Sequence, residues 1–120
     1  MNIIIGQENL QGVDQKHIVL ELDTFHVLPQ GQDVTAYCVV ENIPIPQLPQ
    51  VDSMKSLHEN LMAKYREREW PYCASAIEHL TGFWGQELDS FYQTLQQRIE
   101  NYQQQDPGPA WDYRILKSTP

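Results

Sequence analysis

Apolar residues change their spacing once along this chain. In the first third they alternate: His17-Ile18-Val19-Leu20-Glu21-Leu22-Asp23-Thr24-Phe25-His26-Val27 and Asp33-Val34-Thr35-Ala36-Tyr37-Cys38-Val39-Val40 are rich in β-branched and aromatic types. Pro29-Gln30-Gly31-Gln32 between them supplies turn chemistry, so the pair reads as an antiparallel hairpin. Pairing Leu22 with Cys38 puts Ile18, Leu20 and Leu22 on one face with Val34, Ala36, Cys38 and Val40. A slip by one residue would bring Glu21 and Asp23 among those apolar residues instead. That register leaves Val19, Phe25, Val27, Tyr37 and Val39 on the opposite face, which is too apolar to be simply solvated. Met1-Asn2-Ile3-Ile4-Ile5 reads as a first strand or an apolar plug.

Beyond Pro44, Pro46 and Pro49 the period becomes helical. Met54, Leu57, Leu61 and Tyr65 repeat at three and four residues after Asp52-Ser53, which predicts a helix over 52–69. Trp70 precedes a proline and Pro71 suits a first helical position, so a second helix starts there, carries Cys73, Ala76, Ile77 and Leu80, and ends near Gly82. Leu88, Phe91, Tyr92, Leu95, Ile99 and Tyr102 make a third, broken by Asp106-Pro107-Gly108-Pro109. The tail Trp111–Leu116 alternates like a strand and is too aromatic to float free.

The expected architecture is therefore α+β: a small antiparallel β-sheet packed with about three α-helices, plus an extended C-terminal tail. A length of 120 residues supports a single domain. Its parts are a β-rich segment at 1–43, a Pro-rich connector at 44–50, a helical part at 51–105 and a tail at 106–120 that packs back. Ile43, Ile45 and Leu48 of the connector read as packing residues and not as a recognition peptide.

Charge sharpens this division. The net charge is −8, and residues 1–50 carry −5 of it, with Lys16 the lone base there. Such acidity argues against nucleic acid and anionic membranes as partners and favours a protein partner. The apolar N-terminal run is too short for a signal peptide or a membrane span, and the sequence holds no Asn-x-Ser/Thr acceptor. Cys38 and Cys73 show no metal spacing and read as buried free thiols. The expected setting is cytoplasmic.

Catalytic signals are absent from the residue pattern. The four histidines, His17, His26, His58 and His79, lack ligand spacing and read as surface or cap residues, so no metal and no cofactor are expected. Glu21 and Asp23 lie two apart on a strand and, in the register above, share a face with Tyr37. These three are the candidate ligand-binding residues. Lys64, Arg66 and Arg68 complement the end of the first helix. There is no Gly-rich phosphate loop and no nucleophile elbow.

Leu57 and Leu61, then Tyr65 and Trp70, then Cys73 and Ile77 resemble a tetratricopeptide-type helical hairpin. In such a hairpin a small residue lets two helices approach while aromatics fill the bend. More specifically, Tyr65-Arg66, Trp70, Cys73, Tyr102, Pro107, Pro109, Trp111-Asp112 and Lys117 resemble the helical tail of bacterial class III nucleotide cyclases. Tyr113 departs from that pattern, where glycine is usual, and the cyclase catalytic domain is absent. The resemblance implies a structural clamp formed by Tyr65, Trp70, Trp111 and Asp112, and no cyclase activity. Leu20–Phe25 and Val39–Ile45 also resemble short proteins of marine phage and environmental origin, which would place the chain in host cytoplasm.

The expected function is a non-catalytic protein–protein interaction or assembly module, with Val19, Phe25, Val27, Tyr37 and Val39 as its surface and a second copy as one partner. The alternatives are a ligand-binding protein or small enzyme with a pocket between sheet and helices, and a regulatory subunit of a larger protein.

Overall fold

A computed structural model describes residues 2–13 and 17–118, so Met1 and Lys16 lie outside the described residues. Four strands, β1 (Asn2–Ile5), β2 (Ile18–Leu28), β3 (Gln32–Val40) and β4 (Ile115–Ser118), form one sheet in the order β1-β3-β2-β4. Three helices follow the hairpin: α1 (Val51–Arg66), α2 (Trp70–Leu80) and α3 (Asp89–Gln104). The fold is α+β, as the change of period predicts. The sheet is mixed: β1 and β2 pair antiparallel with β3, while β4, cut from the tail, runs parallel to β2.

The chain divides into two units, residues 1–41 with 113–120, and residues 42–112. The tail is thus shared, its first part counted with the helices and its last part with the sheet.

In the β unit the register departs from the expected one. Leu20, not Leu22, pairs with Cys38, and Ile18 pairs with Val40, which preserves the predicted sides at this end. A bulge then intervenes: Glu21 pairs with Tyr37 but Thr24 pairs with Thr35, so Leu22 and Asp23 together oppose Ala36. Every residue after it changes side. Phe25 and Val27 move to the side of Val34 and Ala36, while Thr24 and His26 join Thr35 and Tyr37. A strict period of two has no place for an extra residue, which is why the alternation misassigns this half of the strand. Leu20, Leu22, Ala36, Cys38 and Val40 are buried as expected.

The helical unit is built on Leu61, Cys73, Ile77, Leu80, Leu88, Leu95 and Ile99, all buried. Cys73 lets α2 close on α1, its Sγ lying 3.9 Å from the Leu61 carbonyl oxygen. Burial pushes this thiol up to about 11, with Glu69 adding to the shift, so it stays protonated and unreactive at neutral pH. His58 is a correction to the surface reading of the histidines: it is fully buried, and its Nδ1 lies 2.8 Å from the Tyr92 hydroxyl. A buried imidazole needs such a partner, and this one comes from α3, 34 residues away in sequence.

Two connections use left-handed backbone at residues other than glycine. After α1, Arg68 (φ 62°) takes the position where glycine normally closes a helix. The Glu69 and Arg68 amides donate back to the carbonyls of Lys64 and Tyr65, which satisfies the last turn. Between α2 and α3, Trp84, Gly85 and Gln86 have φ of 55°, 61° and 67° in succession, a left-handed turn that costs ~1–2 kcal/mol per non-glycine residue. Trp84 is wholly buried, and this burial offsets the strain.

Candidate interaction surfaces

Three regions present chemistry at the surface. The first is a polar ladder across β2 and β3, on the side that carries Glu21 and Tyr37. Thr24, itself buried, and Thr35 pair through their hydroxyls at 2.9 Å, and the exposed part of the ladder begins at His26, which lies opposite Asp33 with Nδ1 2.7 Å from the carboxylate. Arg114, just before β4, donates from Nη1 to both oxygens of Asp33 at 3.0 and 3.3 Å. The His26 hydrogen bond, and then Arg114, hold the Asp33 carboxyl below the usual carboxylate range. The short Asp33 contact makes Nδ1 the protonated nitrogen of His26. The Arg114 contact to that same atom, at 3.2 Å, is therefore a close approach and not a hydrogen bond.

Of the predicted ligand residues, Glu21 and Tyr37 pair across the strands, whereas Asp23 falls in the bulge. A partly open cavity of about 180 Å³ lies beside Tyr37, Thr35 and Asp33 and is also lined by Glu8 from the 3-10 turn after β1. The predicted interaction set is divided by the bulge: Val19, Tyr37 and Val39 keep one side, and Phe25 and Val27 take the other. Val39 is only 4% exposed, and the Phe25 ring is covered by the Lys117 ammonium at 5.8 Å.

The second region is the aromatic clamp of the helical unit. Tyr65, Trp70, Tyr102 and Trp111 stack edge to face or tilted, with centroids 5.2 to 5.8 Å apart. Three of its members are those expected, Tyr102 is an addition, and Asp112 is exposed. The residue that closes it is Arg68. Its guanidinium sits 5.0 Å from the Trp111 ring, donates to the carbonyls of Gly108 and Trp111, and lies 3.6 Å from Asp106. In sequence Arg68 reads as a helix-end cation. Its second role depends on a tail about 40 residues away, which no local pattern reveals. Burial of the Tyr65 hydroxyl drives its pKa far above the ordinary tyrosine value, outweighing the opposing pull of Arg98.

The third region is the Pro-rich connector, and it overturns the packing expectation. Residues Ile45–Gln50 form a 3-10 helix in which Ile45 is 81% exposed and Leu48 53% exposed. Residues three apart eclipse in this geometry, so the two side chains form a single ridge. Gln47 fixes the segment: its Nε2 donates to the Gly82 carbonyl at 3.3 Å, and its Oε1 accepts the Gly85 amide at 3.1 Å. The Pro44 ring packs against the same turn, 3.5 Å from where a side chain on Gly85 would begin. Three prolines and this two-point tether make the ridge rigid before anything binds it.

Among the described residues no three His, Cys, Asp or Glu side chains gather as a metal site, and no helix is long and apolar enough to cross a membrane. What the molecule offers is an α+β scaffold that carries a pinned apolar ridge and a hydrogen-bonded polar ladder. Comparison of the chain with family models, with curated proteins and with solved structures gives no match.

Proposed function

We propose that this chain is a protein–protein interaction module that docks through the Ile45–Leu48 ridge into an apolar groove of a different protein. The observation that supports this reading is the exposure of two large aliphatic side chains on a segment held rigid by prolines and Gln47. A solvent-facing connector has no need of them, and their burial by a partner is worth about 1.5–3 kcal/mol each. Charge defines the rest of the groove. Glu41 and Asp52 flank the ridge, and no Lys or Arg occurs between Lys16 and Lys55, so the partner's rim is basic. The same acids, repeated on every copy, oppose self-association.

The experiment compares wild type with an Ile45→Asp, Leu48→Asp double variant. A partner purified from the native host should bind the variant at least ~100-fold more weakly, which is the lower end of that burial energy. Both positions are exposed, so the melting transition should be unchanged. Equal affinity for both proteins rejects the ridge. A dimer seen by sedimentation and dissolved by the double variant would mean instead that a second copy is the occupant.

The cavity beside Tyr37 favours a second reading, a small-molecule binder. A thermal shift with metals or nucleotides that Tyr37→Ala or Glu8→Ala abolishes would support it over the first.

A further inference from the structure

Trp84 is wholly buried, yet its indole Nε1 has no hydrogen-bond partner among the described residues. The same holds for Oε2 of Glu87, an atom shut off from solvent although the rest of that side chain is not. A buried donor or acceptor left unpaired forfeits the hydrogen bonds it makes with water in the unfolded chain, so native proteins pair nearly all of them. These two atoms are of opposite kind: an indole N–H can only donate, and a carboxyl oxygen can accept. We infer that the turn between α2 and α3 binds one internal water molecule, which accepts from Trp84 Nε1 and donates to Glu87 Oε2.

The backbone brings the two residues to one place. The Glu87 amide donates to the Trp84 carbonyl at 3.2 Å, so Trp84 and Glu87 stand at the two ends of a single closed turn. Between them the chain winds left-handed through Trp84, Gly85 and Gln86. The residues next to the pair are apolar and buried: Phe83, whose ring meets Trp84 edge to face at a centroid distance of 4.8 Å, and Leu88. Neither side chain can satisfy an indole proton or a carboxyl oxygen.

The chemistry of the occupant follows from the pair. It needs a lone pair and a proton on one small centre. Ammonium and metal ions have no lone pair for the indole, and a simple anion has no proton for Glu87. Water has both, and bridging two buried groups of this kind is what internal waters do. The same turn seats the apolar ridge, since Gln47 is tethered to the Gly82 carbonyl and the Gly85 amide. The water would thus belong to that seat, although neither of its ligands belongs to the ridge.

The test is water-selective NOESY and ROESY on the isotope-labelled chain, read at the assigned indole proton of Trp84. A bound water gives cross-peaks of opposite sign in the two spectra, whereas exchange with solvent gives the same sign in both. Trp84 should show the bound-water pattern. Glu87→Met takes away the acceptor and should abolish it, while Glu87→Gln keeps an oxygen and should retain it. Exchange-type peaks, no peak at the water frequency, or a bound-water peak that survives Glu87→Met overturns the inference. An indole proton that lacks the peak and yet resists deuterium exchange would mean that the two side chains bond directly, which also overturns it. The Ile45→Asp, Leu48→Asp protein should keep the wild-type pattern, so the ridge and the water site fail or stand separately.

Discussion

Two arginines fasten the C-terminal tail, one in each unit, and they do so by different physics. Arg68 reaches residues 106–111 from the end of α1, and its partners are backbone carbonyls and the face of Trp111. Apart from Asp106 none of these can change charge, and the Arg68 side chain is 31% exposed, as the Arg114 side chain is. Arg114 belongs to the tail itself and grips Asp33 in the β hairpin, a carboxylate that is 48% exposed and shared with His26. The first fastening is a set of fixed dipoles and a ring. The second is an ion pair to a half-exposed carboxylate, open to salt and protons. Tail residues 106–111 should therefore stay docked under conditions that loosen residues 114–118.

The largest expected effect breaks the first fastening. Arg68→Ala should cost about 2–3 kcal/mol in urea denaturation, from charge-assisted hydrogen bonds to two carbonyls and a cation–π contact. Arg68→Gly should recover about 1 kcal/mol of that loss, because glycine adopts the left-handed φ of 62° without strain. If both variants lose equally, the backbone at Arg68 is not strained and the loss belongs wholly to the side chain.

A smaller effect is expected at the second. Arg114→Ala should shift the denaturation midpoint by under about a third of the Arg68→Ala shift, and 1 M NaCl should erase it while leaving the Arg68 effect nearly whole. Equal salt sensitivity of the two would remove the distinction drawn between them.

The smallest effect concerns protons. Asp33 has a depressed pKa in the folded chain, so its contribution is fully present above the unfolded carboxyl value of ~3.9 and is lost as pH falls through the lower folded value. Stability of wild type relative to Asp33→Asn, followed from pH 6 downward, should hold level to about pH 4 and then converge. The corresponding comparison for Arg68→Ala should stay flat over the same range. A wild-type advantage at Asp33 that grows on acidification would reverse the sign of this argument.

The helices were legible because their signals are local. Pro71 and Gly82 mark ends by their own backbone chemistry, Asp52-Ser53 falls just inside the start of α1 without capping it, and the pairs Leu61 and Tyr65, Cys73 and Ile77 repeat at the period of one turn. That the tail packs back was legible for a related reason, since aromatics beside a Pro-Gly break must pack somewhere, whereas the clamp's members were implied only by the resemblance, which left out Tyr102. Failures occurred where one residue's role is set by another far off in sequence. The bulge at Leu22-Asp23 has no glycine to announce it, and His58 is explained only by Tyr92. Ile45 and Leu48 look like core residues by composition, yet a 3-10 turn pinned through Gln47 turns them outward. Arg68 looked like a cap and is one, while its guanidinium serves the tail.

The placement of β4 has a consequence for how the chain comes into being. Synthesis proceeds from the N-terminus, and residues 42–112 emerge as one continuous stretch that holds the whole helical unit. The sheet is different. Its last strand is separated by some ninety residues from the β2 edge that it joins, so that edge has no β4 beside it until residues 115–118 have been made. The helical unit can thus fold before β4 exists, while the four-stranded sheet waits for it.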